Sequence, residues 1–262
     1  MRIEEKNKRI LGVIPARFAS TRFEGKPLAM VGNLEMVVCV CKRVEESGLF
    51  DKVVVATDSR KIYDVVNKNN YTAIMTNENH NCGTDRVEEA LSIAEEMFGG
   101  FDIVVNIQGD EPLIRKEQLQ EVISPFERDE NVQITTLCKM IEDVQTLTNP
   151  NVVKVVFNYN HYAMYFSRSV IPYDRNETLE YGIAKGLYFK HIGLYAYKSN
   201  VLREIVKLYA SRLEKIESLE QLRWLEEGYK IKVELTDFES IGVDTPEDLE
   251  KINNLLNNKI AH

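Results

Sequence analysis

Val13-Ile-Pro-Ala-Arg-Phe-Ala-Ser-Thr-Arg-Phe-Glu-Gly-Lys-Pro-Leu28 is the stretch of sequence that decides the fold of this chain. The apolar segment 10–14 predicts a buried strand, and it runs into a loop that carries Arg17, Arg22 and Lys26, with Gly25 as a tight-turn glycine. Arginine offers a planar fork of donors and lysine a compact point charge, which together suit a polyphosphate. Ligands of open α/β sheets bind outside the carboxyl ends of the strands, where this loop is expected. The alternative is a solvated basic loop, but three cations so close behind a buried strand favour a phosphate site.

The loop fits neither of two common nucleotide-binding motifs. A Walker A motif has a glycine where this chain has Ser20, and a hydroxyl-bearing residue where it has Pro27. No G-x-G-x-x-G follows a predicted strand, which argues against a Rossmann dinucleotide fingerprint. The phosphate site is therefore expected to rely mainly on side chains.

Length and composition indicate a globular α/β protein. With 262 residues, of which 44% are hydrophobic, the chain can bury a large core as a single domain over 1–262. No window approaches the ~18 consecutive apolar residues of a membrane span, and the charged start of the chain lacks the apolar stretch of a signal peptide. We therefore expect no membrane insertion.

Charge and cysteine content restrict the partners and the compartment. The net charge of −8 argues against a nucleic-acid surface, so the basic loop is interpreted as a local binding site and not as part of a basic face. The four cysteines have no zinc-ligand spacing and are too few for a disulfide framework in a chain of this length. They predict reduced thiols in a cytoplasmic protein.

The first half of the chain alternates between apolar strands and amphipathic helices. The predicted strands cover 10–14, 53–57, 71–75 and 103–108. The predicted helices cover 35–47, 61–67 and 85–98. Continuous apolar runs joined by helices are typical of a mostly parallel central sheet with helices on both faces. The pattern predicts a Rossmann-like three-layer α/β fold.

The second half is richer in aromatic and strand-forming residues. Strands are predicted over 132–140, 152–157, 162–167, 188–197 and 230–235, and helices over 199–208, 213–227 and 246–256. The region 131–200 is therefore expected to form a smaller antiparallel lobe within the domain. We interpret its aromatic side chains as core and subunit interface rather than as a stacking platform; they are Tyr159, Tyr162, Tyr165 and Phe166.

Two acidic segments complete the candidate site. Asn106-Ile-Gln-Gly-Asp-Glu-Pro112 follows a predicted strand, and it places Gln108 and Asp110 at the edge of the sheet where Lys26 is expected. Asp244 precedes the last predicted helix. Each carboxylate alone could be a turn residue or a helix cap. Beside a triphosphate, however, carboxylates need a cation between them and the phosphates, and magnesium favours such oxygen ligands.

Seven motifs in order resemble those of the 3-deoxy-D-manno-octulosonate (Kdo) cytidylyltransferase family, also called CMP-Kdo synthetases. The first is the family's P-A-R-x-x-S-T-R-x-x-G-K-P-L, and the third is N-x-Q-G-D-E-P. The motifs lie at 15–28, 82–86, 106–112, 165–172, 190–197, 217–223 and 243–248. They span nearly the whole chain, and the resemblance implies the nucleotidyltransferase fold of that family.

The resemblance also implies a role for individual residues. The implied catalytic residues are Arg17, Lys26 and Asp110, with Arg17 and Lys26 on the CTP phosphates. The other implied nucleotide contacts are Ser20, Thr84, Arg86 and Gln108. The implied magnesium ligands are Asp110 and Asp244. The implied contacts with the sugar acid are Arg22, Arg168, His191, Tyr195, Glu217 and Gln221.

The implied reaction joins CTP and Kdo to give CMP-Kdo and pyrophosphate, for lipopolysaccharide or capsule synthesis, in a cytoplasmic homodimer. Three alternatives stay open: 8-amino-Kdo as the sugar, a sialate-type acceptor, or a catalytically silent nucleotide-binding protein on the same fold. An isolated histidine between apolar strand residues, such as His191, is more often a hydrogen-bonded structural residue than a catalyst. The chain departs from the family pattern at Cys82, where a serine is usual, so a hydroxyl that could contact the nucleotide is absent there.

Overall fold

The structure is a computed structural model that describes residues 8–19, 23–80, 82–239 and 241–260, with side chains described up to 256. The strands, numbered β1 to β11, are Ile10–Pro15, Met30–Val31, Leu34–Glu35, Lys52–Thr57, Ala73–Met75, Ile103–Asn106, Ile134–Met140, Lys154–Phe157, Ala163–Ser167, Phe189–Lys198 and Ile231–Leu235. The helices, numbered α1 to α11, are Met36–Glu46, Arg60–Lys68, Gly83–Phe98, Lys116–Ile123, Pro125–Arg128, Val144–Thr148, Leu179–Ala184, Ser199–Ile205, Arg212–Glu217, Gln221–Glu226 and Pro246–Ile260.

The chain divides into two compact units. The first comprises Met1–Leu119 and Ser240–His262, and the second comprises Gln120–Glu239. The boundary falls within α4, and the predicted antiparallel lobe 131–200 lies inside the second unit. No helix in the described ranges is both long enough and apolar enough to cross a bilayer.

The first unit is built on a parallel sheet with the strand order β6, β1, β4, β5. Strand β1 lies between β4 and β6, and its central side chains Leu11, Val13 and Ile14 are fully buried. Such burial on both faces explains why these strands are continuous apolar runs rather than alternating ones. The predicted parallel sheet is confirmed.

The parallel register places two loops at one edge of this sheet. Val13 of β1 is the register partner of Asn106 of β6, and both strands run in the same direction. The loop after β1 and the loop after β6 therefore emerge side by side. Gly109, in the second loop, lies so close to β1 that an added Cβ would be 2.7 Å from the carbonyl oxygen of Pro15. A glycine is needed there because a side chain would push the two loops apart.

The second unit has a mixed sheet. Strand β10 is antiparallel to β7 and to β8, β8 is antiparallel to β9, and β11 is parallel to β7. The predicted antiparallel character of this region is confirmed, as is the α/β class as a whole.

One predicted helix is wrong in its extent. The sequence predicts a single helix over 213–227, but the structure has α9 and α10 with a break at Ser218, whose φ of 53° is left-handed. The cause is tertiary, because Arg168 Nε donates to the carbonyl oxygen of Glu217 at 2.7 Å and so takes the acceptor that a continuing helix would use. A long-range contact ends the helix where the local pattern predicts that it continues.

Candidate active site

Lys26 is directed into the candidate site by a tight turn. Gly25, with a left-handed φ of 69°, precedes a single 3-10 turn over Lys26–Leu28. The Gly25 amide donates to the carbonyl oxygen of Phe18 at 3.0 Å, which closes the loop after β1. A side chain at residue 25 would strain this backbone conformation, so the predicted role of the glycine as a turn residue is confirmed.

The Lys26 ammonium lies between two carboxylates that are distant in sequence. Lys26 Nζ is 2.7 Å from Asp110 Oδ2 and 3.4 Å from Asp244 Oδ1. The Lys26 side chain is 15% exposed, whereas Asp110 and Asp244 are 31% and 48% exposed, so the carboxylates open to solvent. The first unit thus brings together three of the residues singled out in the sequence.

The backbone and a capping interaction hold Asp244 in this position. The Val243 amide donates to the carbonyl oxygen of Asp110 at 2.9 Å, which ties the chain before α11 to the loop after β6. The Asp248 carboxylate accepts from the amides of Asp244 and Thr245 at 3.3 and 3.2 Å. Thr245 caps α11, because its Oγ1 accepts from the Asp248 amide at 3.3 Å while the Asp248 carboxylate bonds back to the chain before the helix. Asp244 is thereby held with its carboxylate beside Lys26.

The other nucleotide residues of the first unit have different surroundings. Arg17 is exposed, and Gln108 is half-buried in the loop after β6. Arg86 is 1% exposed and donates to Thr76 Oγ1 at 2.5 Å and to Asp58 Oδ2 at 2.7 Å. Its guanidinium therefore joins the residues that follow β4 and β5. Thr84 is buried in the first turn of α3. Ser20 and Arg22 lie outside the described residues.

His80 has a partner that the sequence did not indicate. His80 Nε2 lies 2.5 Å from Glu89 Oε2, and the same oxygen accepts from the Asn77 amide at 2.8 Å. Glu89 on α3 thus fastens the loop that follows β5. No sequence pattern indicated this contact, because the loop that carries His80 is irregular.

Four of the five sugar-binding residues predicted in the second unit form two groups. His191 and Tyr195 lie on β10 with their ring centroids 5.3 Å apart, and Trp224 of α10 packs edge-on against Tyr195 at 5.4 Å. Arg168 and Glu217 contact each other at the ends of β9 and α9, through Arg168 N and Glu217 Oε2 at 2.9 Å. Gln221 is buried in the first turn of α10.

His191 is held as a neutral ring. Its Nε2 lies 2.9 Å from Thr136 Oγ1, and Phe166 packs against the ring edge at 5.0 Å between centroids. Although the residue keeps a partly exposed edge, desolvation by its surroundings lowers the pKa of His191 from 6.5 to about 3. A group with this pKa binds almost no protons at pH 7, so His191 acts there as a hydrogen-bonding group.

This pKa predicts a change in stability with pH. The unfolded chain binds a proton at His191 between about pH 6.5 and 3 whereas the native state does not, so the free energy of unfolding falls as the pH falls through this window. We expect the fall from pH 7.5 to 5.0 to be roughly 1–2 kcal/mol smaller in His191→Gln than in the unsubstituted protein. Urea unfolding at the two pH values measures this difference, and equal falls in both proteins would contradict a neutral, desolvated His191 ring.

Comparisons with known proteins agree with this geometry. A family profile described as Cytidylyltransferase matches residues 11–232. The 3-deoxy-manno-octulosonate cytidylyltransferase of Parabacteroides distasonis is 49% identical over 247 residues, which are 93% of this chain and 96% of that protein. The chain belongs to the 3-deoxy-manno-octulosonate cytidylyltransferase family. The enzyme of the same description from Thermodesulfovibrio yellowstonii is 48% identical and covers 94% of this chain and 97% of its own.

A solved structure supports the family assignment. A CMP:2-keto-3-deoxy-manno-octonic acid synthetase complexed with CTP has a TM-score of 0.88 to this chain and 37% sequence identity. The alignment covers 96% of this chain and 99% of that chain. The resemblance carried by the seven motifs is thereby confirmed, and with it the nucleotidyltransferase fold.

Proposed function

We propose that this chain transfers the cytidylyl group of CTP to Kdo and releases pyrophosphate. The observation that carries the proposal is the Lys26 ammonium held between Asp110 and Asp244 at the carboxyl edge of the parallel sheet, in a member of this enzyme family. The transfer of a nucleotidyl group needs a cation that binds the phosphates and, beside it, carboxylates that hold a metal ion.

The reaction is an in-line displacement. The anomeric hydroxyl of Kdo loses its proton to solvent water and its oxygen forms a bond to the α-phosphorus, while the bond from that phosphorus to the bridging oxygen breaks and pyrophosphate leaves. Lys26 and Arg17 stabilise the negative charge that grows on the phosphate oxygens. His191, with its lowered pKa, is a poor proton acceptor, and we assign it a hydrogen bond to a sugar hydroxyl instead.

Asp110 and Asp244 fit a divalent cation. The two carboxylates already gather around one positive charge in the structure, the Lys26 ammonium. The described residues contain no group of three or more His, Cys, Asp or Glu side chains that could hold a metal ion. Magnesium suits two carboxylates because it is commonly bound by one or two of them together with substrate phosphates. When bound, it would neutralise phosphate charge and make the attacking hydroxyl more acidic.

Pyrophosphate release from the purified protein with CTP and magnesium tests the proposal. We expect release that requires CTP, metal and Kdo together. A preference for 8-amino-Kdo would keep the chemistry and change the sugar. Folded protein that binds CTP but releases no pyrophosphate with either sugar would contradict the proposed acceptor. The choice between lipopolysaccharide and capsule would follow from the product's fate in cells.

We also propose that the enzyme works in the cytoplasm, where CTP is made. The free thiols of the described residues support a reducing compartment; they are Cys39, Cys41, Cys82 and Cys138.

A homodimer is the oligomeric state that we propose, formed through the antiparallel region of the second unit. An apolar cavity of about 500 Å³ opens there, lined by residues that include Phe157, Met164 and Leu187, and Met164 is 66% exposed. An apolar surface of this kind is typical of a subunit contact. We expect Met164→Glu to shift the mass in light scattering from dimer to monomer. Met97→Glu, at a 56% exposed residue of the first unit, is the control and should stay dimeric. A monomeric unsubstituted protein would contradict the proposal.

A further inference from the structure

Both oxygens of the Glu217 carboxylate are held by the end of strand β9. Ser167 Oγ donates to Glu217 Oε1 at 2.6 Å, and the Arg168 amide donates to Oε2 at 2.9 Å. Burial raises the pKa of the Tyr165 hydroxyl, and the nearby Glu217 charge adds to this rise. Ser167 is 3% exposed, so its hydroxyl has little access to water. A hydrogen bond this short from a buried hydroxyl to a charged group is among the stronger kinds.

The Glu217 carboxylate keeps acceptor positions for a ligand. A carboxylate has roughly four acceptor sites on its two oxygens. In the described part of the chain, the Ser167 hydroxyl and the Arg168 amide each occupy one of them. A hydroxyl donor of the sugar acid can take a further site, and it finds an oxygen whose direction is already fixed.

The strand end that holds Glu217 is itself rigid. Lys154 is fully buried, and its ammonium donates to the carbonyl oxygens of Asn149, Val152 and Arg168 at 3.1, 2.6 and 2.5 Å. The Arg168 guanidinium donates in addition to the carbonyl oxygen of Pro150 at 3.0 Å. These hydrogen bonds restrain the main chain at Ser167 and Arg168, and they therefore restrain the position of the Ser167 hydroxyl.

We propose that Ser167 is a positioning residue for the sugar acid and acts through Glu217. The inference rests on the proposed role of Glu217 in binding the sugar. Ser167 fixes the rotation of the Glu217 carboxylate, so that its free acceptor site points in one direction before the sugar arrives. Without the hydroxyl, the carboxylate samples several orientations, and the sugar has to order it on binding. The nucleotide contacts predicted in the first unit do not involve this network.

Kinetics of four variants test the proposal: Ser167→Ala, Glu217→Gln, the double variant, and Ser169→Ala as a matched control. Ser169 is exposed and contributes its amide, not its hydroxyl, to the Ser167 oxygen at 3.0 Å. We expect Ser167→Ala to raise the KM for Kdo about tenfold while the KM for CTP changes less than about twofold. Because Ser167 acts through Glu217, the double variant should be no worse for Kdo than Glu217→Gln alone.

Each outcome is decisive. A raised KM for Kdo in Glu217→Gln but not in Ser167→Ala overturns the positioning role and keeps the sugar-binding role of Glu217. An unchanged KM for Kdo in both overturns the two roles together. Independent, multiplicative effects in the double variant show that Ser167 does not act through Glu217. If Ser167→Ala does not fold, Ser167→Cys keeps the volume with a weaker donor, and an unchanged KM for Kdo there again overturns the proposal.

Discussion

Replacing Asp110 with Asn should lower kcat by roughly three orders of magnitude. The substitution removes one of the two carboxylate charges that we assign to magnesium, whose contribution to phosphate chemistry is several kcal/mol, and each ~1.4 kcal/mol is a factor of ten in rate. The fold should persist, because the contact of Asp110 with the Val243 amide uses the backbone carbonyl oxygen rather than the side chain. Pyrophosphate release measured over a range of magnesium concentrations gives kcat, and thermal melting reports on folding.

The control for this substitution is Asp64→Asn. Asp64 is 58% exposed on helix α2, where it forms an i,i+4 pair with Arg60. The same loss of charge there should leave kcat within about twofold, as expected for a surface pair of small energy. Near-normal turnover of Asp110→Asn at saturating magnesium would contradict the assigned role.

Replacing Lys26 with Met should have an effect of similar size, about 10² to 10³ in kcat. The ammonium lies within 3.4 Å of both carboxylates, so its removal takes away the positive charge for the phosphates and leaves Asp110 and Asp244 to repel each other. We expect the KM for CTP to rise as well. Because both carboxylates are partly exposed, stability should change little.

Two further variants help to interpret Lys26→Met. Lys26→Arg keeps the charge but replaces a point charge with a planar fork, and we expect only partial recovery of kcat. Lys42→Met, at a 53% exposed residue on helix α1, is the control for the loss of a surface lysine. Full activity of Lys26→Met would show that the phosphates are stabilised elsewhere.

Local patterns predicted the framework well because the determinants are local. The apolar run of β1 and the period of α1 depend on neighbouring residues, and the predicted range 35–47 differs from Met36–Glu46 by one residue at each end. The last helix was also anticipated, since Pro246 and the capping residues Thr245 and Asp248 are close in sequence.

Long-range contacts could not be predicted in this way. The sequence offered no reason for α9 to end at Glu217, because the decisive donor, Arg168, is 49 residues away. The sequence likewise assigned Arg86 to the nucleotide without indicating its buried ion pair with Asp58. Lys154 lies inside the apolar run 152–157, and a strand interior seldom has a lysine unless its charge is satisfied. This position therefore indicates a buried lysine with polar partners.

The amino-acid sequence by itself determined the α/β class, the four strands of the parallel sheet, the glycine turn before Lys26 and the family motifs. Only the tertiary structure decided that Lys26 and Asp244, which are 218 residues apart, meet within 3.4 Å. The physical reason is that strand and helix propensities act over a few residues, whereas a charge cluster depends on the parallel register of β1 with β6 and on the bond that ties Val243 to Asp110. The same holds for Ser167 and Glu217, whose contact depends on where β9 ends and where α9 breaks.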